Sequence, residues 1–216
     1  MSVGGAIMAH PVRAGWVDEL VAQTGYPISW AVGEPTSDPE KRWLVGRTAW
    51  QLAASQGKEW SVVVQDDAVL CDNFLPLLDS LTEAVGERGI VCAYTGVPKL
   101  RNGVLQGNVV QMIRSARGGV NVTNTRSLNW GVVIAIPTKH VLEMLDWCDE
   151  QVGDAYDYRI GRYVRDELGL PTWYPHPSLV DHRGVESLIG RVDERPRVAY
   201  DFNKTLKGVT WRLSGQ

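Results

Sequence analysis

The sequence predicts one α/β domain, with a mostly parallel central sheet, helices on both faces and a small antiparallel excursion. Three observations carry this. Two charge-free runs rich in β-branched residues, Ser61–Val64 and Val132–Ile136, suit strands buried on both faces of a sheet. Strand-like and helix-like stretches alternate from Gly4 onward, the pattern of βαβ units. No internal repeat, low-complexity tract or linker divides the 216 residues, so the whole of 1–216 is expected as one domain with a tail from about 191 to 216.

Taken in order, Gly4–Ala9 reads as a first strand that must turn at Pro11, which cannot extend a ladder. Trp16–Val21 has helical spacing, and Tyr26–Val32 reads as the second strand. A turn-rich loop, Gly33–Pro39, leads to a helix whose apolar positions recur through Ala54, with Gly57 as its stop. After the strand at Ser61–Val64, Asp72 is expected to cap a helix through Phe74, Leu77, Leu78, Leu81 and Val85. Gly89–Thr95 returns as a strand. The turn signal Arg101-Asn102-Gly103 predicts a hairpin with Val109–Ile113 as its partner strand. Ser115–Arg126, rich in Gly, Asn, Ser and Thr, reads as a loop of the kind that closes over substrates. Trp130–Ile136 is the second buried strand, followed by helices beginning near Thr138 and at Tyr156–Leu168, and a short strand at Thr172–Tyr174. The tail has little periodicity, with Trp211 as its anchor.

Composition is that of an ordinary globular protein, with 44% hydrophobic and 22% charged residues. A net charge of -3 gives no bulk attraction to nucleic acid or to an anionic membrane. No signal-peptide pattern or membrane-length apolar run is seen, so a cytoplasmic protein is expected. Cys71, Cys92 and Cys148, an odd number without CxxC spacing, indicate neither a disulfide framework nor a zinc site.

The chemistry concentrates where the first buried run ends, at Gln65-Asp66-Asp67. Two adjacent carboxylates at such a place oppose each other's ionisation unless they face solvent or share a cation. Ligands of open α/β sheets bind beyond the carboxyl ends of the strands, and hard oxygen donors there suit Mg2+ or Mn2+ bound together with substrate phosphates. The competing reading is a plain turn or helix cap. His182, late in the chain and followed by Arg183-Gly184, is the candidate imidazole for the same cation. A lone histidine is more often a hydrogen-bonded surface or core residue than a ligand, and it is the Asp pair that favours the ligand reading.

A strand closing on Asp66-Asp67-Ala68, a mid-chain Trp130-Gly131 strand running into Pro137-Thr138, and the late segment Pro177-Ser178-Leu179-Val180-Asp181-His182-Arg183-Gly184-Val185-Glu186-Ser187-Leu188-Ile189-Gly190 together resemble nucleotide-sugar glycosyltransferases of the GT-A fold. The nearest likeness is to the lipopolysaccharide-type branch with a Glu-Asp-Asp motif and to small phage and bacterial relatives. It covers roughly residues 3–190, and Gln65 departs from it by standing where that branch has Glu.

The resemblance implies a single GT-A-like, Rossmann-type domain that moves a sugar from a nucleoside diphosphate donor, a UDP-sugar first, to a hydroxyl of a glycan, lipid or protein. It implies Asp67 and His182 as ligands of Mn2+ or Mg2+, with Asp66 a ligand or its support and Gln65 at the ribose. Weaker metal binding or metal-independent catalysis stays open because of Gln65. The exit of the first strand, His10-Pro11-Val12-Arg13, is where such enzymes seat base and ribose, and Arg13 with Arg42 or Arg47 would meet phosphate or base. Solvated helix faces are the other reading for these arginines. Asn129 and Trp130 would line the donor-sugar or acceptor pocket, or Trp130 would be core. Asp157 is the candidate general base, at the opening of a helix that begins after Asp154, against a reading of simple first-turn capping. Glu186 is the second candidate.

Two other functions fit parts of the sequence. One is a non-catalytic carbohydrate- or protein-binding module on the same scaffold. The other is a metal-dependent nucleotidyltransferase, disfavoured by the lack of a G-x-x-x-x-G-K-[ST] or G-x-G-x-x-G loop.

Overall fold

The computed structural model describes residues 2–96, 100–101, 104–105, 111–112, 114–116, 118–184 and 198–215. Strand β1 spans Val3–Ala9, β2 Ile28–Trp30, β3 Trp60–Gln65 and β4 Ala68–Leu70. Strand β5 spans Ile90–Cys92, β6 Leu100–Arg101, β7 Val104–Leu105 and β8 Val122–Thr125. Val133–Pro137 forms β9, Thr172–Pro175 β10 and Val180–His182 β11. The helices are α1 Ala14–Thr24, α2 Pro39–Ala54, α3 Phe74–Val85, α4 Val141–Asp149 and α5 Tyr156–Asp166.

The central sheet has seven strands in the order β2-β1-β3-β9-β5-β10-β8. β1 pairs in parallel with both β2 and β3, and β5 with β10, while β9 and the edge strand β8 run antiparallel to their neighbours. Alternation along the strands feeds two cores. Val62, Val64, Val133 and Ala135 join α1 and α3 on one face, and Val63, Ile134 and Ile136 join α2, α4 and α5 on the other. Helices therefore cover both faces, as the apolar runs require.

β1 is the point where the chain changes direction across the sheet. α1 carries it to β2 on one side, and α2 brings it back past β1 to β3 on the other. The carboxyl ends of β1 and β3, at this change of direction, are where such sheets bind ligands.

Several local expectations are corrected. The stretch expected as a loop at Ser115–Arg126 contains the edge strand β8, whose Val122 is fully buried; its polar, short composition hides a strand laddered to β10 on one side and bridged only from Val122 to Leu213 on the other. The hairpin at Arg101 pairs β6 with β7, so the partner is Val104–Leu105 rather than Val109–Ile113, where Met112 is helical and residues 109, 110 and 113 lie outside those described. Asp72 does not cap α3. Its N-cap is Asn73, without a side-chain bond, and Asp72 lies 3.6 Å from Lys204 Nζ instead. In the tail, Trp211 donates to Ser80 Oγ, and Leu206 and Leu213 are buried deeper.

Candidate functional site

β1 and β3 are in parallel register, with Met8 beside Gln65, so the residues that follow each strand emerge at one rim. After β1 come His10-Pro11-Val12-Arg13, where Pro11–Arg13 forms a 3-10 turn capped by His10. The His10 imidazole accepts from the Val12 N–H at Nδ1 and reaches the Gly33 carbonyl from Nε2 at 3.1 Å. An accepting Nδ1 leaves the proton on Nε2, so both ring nitrogens are engaged in holding this loop to the next. Pro11 is the first residue of the turn, where its missing N–H costs nothing.

After β3 the doublet turns into β4. Asp66 accepts from the His10 N–H at 2.8 Å, and its own N–H donates to the Met8 carbonyl. Arg13 Nη1 lies 2.7 Å from Asp66 Oδ1 and 2.8 Å from Asp67 Oδ2, a single nitrogen shared by both carboxylates. β4 pairs antiparallel with β11, setting His182 opposite Ala68 and bringing His182 Nε2 to 3.2 Å from Asp67 Oδ2. All four side chains are buried, with Arg13, Asp66 and His182 at 6–7% exposure.

The two carboxyls are driven apart. Burial pushes the Asp66 carboxyl up, with the Asp67 charge adding to it and Arg13 opposing. Burial also acts to raise Asp67, but the hydrogen bond and charge of His182, together with Arg13, outweigh it and hold that carboxyl below its ordinary value. Burial acts to lower the Arg13 guanidinium, and the two carboxylates overcome it, so its pKa is raised.

Among the described residues no three His, Cys, Asp or Glu side chains form a group that could hold a metal ion. A divalent ion shared by both carboxylates would need the position that Arg13 Nη1 holds. The donor chemistry nevertheless suits a hard cation, since two carboxylates and an imidazole are gathered and Asp67 Oδ1 and His182 Nδ1 are buried without a hydrogen-bond partner. As placed, the three are engaged with Arg13 and with one another, and an ion could enter only if the guanidinium left.

A second group lies along the same rim. Gln65 N–H donates to the Val132 carbonyl, placing Gly131 beside it. A Cβ on Gly131 would sit 3.0 Å from Asp157 Cβ and 3.3 Å from Gln65 Nε2, so the bare backbone is what lets these two side chains share one spot. Asp157 is in the first turn of α5, half-buried, and its Oδ1 accepts from the Tyr158 N–H. Asp154 does not cap this helix; the N-cap is Ala155, and Asp154 pairs with Arg162 at 2.9 Å. The approach of α5 depends on Gly46 in α2, where a Cβ would lie 2.4 Å from the Tyr156 ring.

Trp130 is half-buried, edge-on to Tyr94 at 5.8 Å and to Tyr174 at 5.6 Å, and Tyr94 in turn stands 6.5 Å from the His182 ring. It therefore belongs to an aromatic wall that reaches the doublet. Arg47, expected at phosphate or base, is engaged elsewhere. It pairs with Asp149 at 2.9 Å, and Trp43 Nε1 donates to the same carboxylate. Glu186 lies outside the described residues.

Trp16 and Arg183 went unassigned in the sequence, as did Tyr94 and Gly131. Trp16, which has the spacing of an apolar helix face, carries two guanidiniums over its ring, Arg13 at 5.4 Å and Arg183 at 5.3 Å. Arg183 also donates its N–H to the Asp67 carbonyl and pairs with Glu19. Its place directly after His182 was the available signal.

No protein-family model matches this chain, and no curated protein matches it in sequence. Among solved structures it is similar to a glycosyltransferase involved in the glycosylation of the major capsid of PBCV-1, at 12% identity and a TM-score of 0.36, over 76% of this chain and 75% of that one. It is also similar to a mannose-1-phosphate geranyltransferase from Thermus thermophilus, at 13% identity and a TM-score of 0.34, over 78% of this chain and 58% of that one.

Proposed function

We propose that this protein is a glycosyltransferase that moves a sugar from a nucleoside diphosphate donor, a UDP-sugar first, to a hydroxyl acceptor. The observation that carries the reading is the meeting of Asp66, Asp67, His182 and Arg13 at the rim where β1 and β3 end, with Gln65 and Asp157 adjoining across Gly131. A buried charged cluster beside a carboxylate on a helix N-terminus supplies the two things the reaction needs, a seat for a diphosphate and a proton acceptor nearby.

In this reading the exit of β1, from His10 to Arg13, seats base, ribose and phosphate, and Gln65 offers its amide to a sugar hydroxyl. Asp66, Asp67 and His182 would hold Mn2+ or Mg2+, which when bound neutralises charge on the departing diphosphate. Asp157 takes the proton of the acceptor hydroxyl as its oxygen forms a bond to the anomeric carbon. The bond from that carbon to the phosphate oxygen breaks, and the diphosphate leaves with the electron pair. Trp130, in its aromatic wall, is the platform for the transferred sugar or the acceptor.

The test is calorimetry with a panel of nucleoside diphosphates in Mn2+, followed by release of UDP from UDP-sugars with and without simple glycoside acceptors. Binding together with acceptor-stimulated release is expected. Absence of any nucleotide binding overturns the reading, and binding without release or transfer points instead to a carbohydrate-binding module on this scaffold.

A further inference from the structure

Arg13 stands in the seat that the proposed function gives to a metal. One Nη1 bridges Asp66 Oδ1 and Asp67 Oδ2 at 2.7 and 2.8 Å, so the doublet already has a cation in the ligand-free protein. Buried carboxylates this close need one. The match is incomplete in charge, however, because a guanidinium brings a single positive charge to two carboxylates, where Mn2+ or Mg2+ brings two. It is incomplete in hydrogen bonding as well, since Asp67 Oδ1 and His182 Nδ1 remain buried with no partner. From its present place the Arg13 guanidinium leaves both of those atoms unmet.

Arg13 also has a contact that does not depend on the doublet. Its guanidinium lies over Trp16, whose ring it shares with Arg183. It extends from the last residue of a three-residue turn rather than from the interior of a helix. Planar, permanently charged and a fork of donors, it is suited to phosphate as much as to carboxylate.

We propose that Arg13 is a resident counter-cation: it holds the seat between Asp66 and Asp67 until a divalent ion and a nucleoside diphosphate arrive, then yields the carboxylates and pairs with the diphosphate. This rests on the doublet being the cation seat of a donor site. Each ligand then removes the other's obstacle, since the diphosphate draws the guanidinium away and the ion replaces it on the carboxylates. Metal and nucleotide binding are therefore coupled, and by linkage equally in both directions. Metal affinity in the absence of nucleotide is held down by Arg13 itself.

The deciding experiment titrates Mn2+ alone into wild type and Arg13→Gln, by calorimetry and by the free Mn2+ signal in electron paramagnetic resonance. Unfolding temperatures are followed with and without the ion. Arg13→Gln is expected to bind Mn2+ about tenfold or more tightly than wild type, within the usual range of coupling between sites. It should gain more thermal stability from Mn2+ and bind UDP more weakly. A variant that folds only when Mn2+ is supplied gives the same answer. Mn2+ affinity equal to or below that of wild type overturns the proposal, as does failure to fold equally with and without Mn2+. The two readings fail separately. Wild type that binds UDP while the variant gains no Mn2+ affinity removes the exchange and leaves the transferase. A variant that gains Mn2+ affinity in a protein that never binds UDP leaves the cation seat and removes the transferase.

Discussion

His182 Nε2 lies 3.2 Å from Asp67 Oδ2, joining the end of β11 to the carboxylate that follows β3. The contact is a product of pairing, because β11 and β4 are antiparallel with His182 opposite Ala68, the next residue after the doublet. The imidazole thus holds Asp67 and, through it, the whole cluster. His182→Asn should therefore lower UDP affinity in Mn2+ by about tenfold or more, since in the proposed function it both orients Asp67 and holds the ion, and losing the orienting role alone has that penalty. Calorimetry measures it, and an unchanged affinity would place His182 outside the binding machinery.

Asp157 and Gln65 share their spot only because Gly131 lacks a side chain. Gly131→Ala should push them apart and lower kcat by as much as about a hundredfold, the scale of a misplacement near 1 Å. Thermal stability should change much less than turnover. Steady-state kinetics beside a melting curve separate the two, and equal kcat in the variant would remove this group from the reaction.

Replacing the proposed base tests the same end of the site chemically. Asp157→Asn keeps the shape and the hydrogen bond to Tyr158 while removing the proton acceptor, so transfer should fall on the order of 10²–10⁴ with UDP binding intact. Equal losses in binding and transfer would mark Asp157 as structural.

Stability should depend on pH through His176. Burial lowers its pKa below the ordinary value of 6.5, against a smaller opposing effect of Asp201, so the folded protein keeps the ring neutral. As pH falls below 6.5 the unfolded chain takes up a proton that the folded one resists. Stability is therefore full above that value and declines toward the folded pKa. His140 is lowered in the same direction, so the informative quantity is the difference between wild type and His176→Gln. The denaturation midpoint of wild type relative to that of His176→Gln should fall as pH goes from 7 to 5.

The three cysteines should be inert while the protein is folded. Burial pushes the thiols of Cys92 and Cys148 up to about 12 and that of Cys71 to about 11, and all three are buried and free. A thiol-disulfide reagent at pH 8 should therefore label none until denaturant is added, and then three. Rapid labelling of the native protein would mean local opening at one of these sites.

The sheet was legible because its central strands are buried on both faces and so carry long apolar runs, as at Val62–Val64 and Val133–Ile136. β8 was not, since an edge strand of Val, Thr and Asn loses little by carrying polar side chains. The doublet announced itself because two carboxylates after a buried strand demand an explanation. Its partner did not. Arg13 follows a proline turn and has the setting of one more surface arginine, and only the parallel register of β1 with β3 turns it onto Asp66 and Asp67. Gly131 was similarly silent, because what makes it matter is the arrival of α5 from the far end of the chain.

β9 runs against β3 and β5, so the segment joining β5 to β9 both departs and returns on the side of the molecule where the doublet lies. Its two ends supply Tyr94 and Trp130, which meet edge to face beside His182. Under the proposed function, changes in the length or composition of that connection would remodel the acceptor side of the site while leaving the charged cluster at the ends of β1 and β3 untouched. It is the natural place to graft new specificity onto this scaffold.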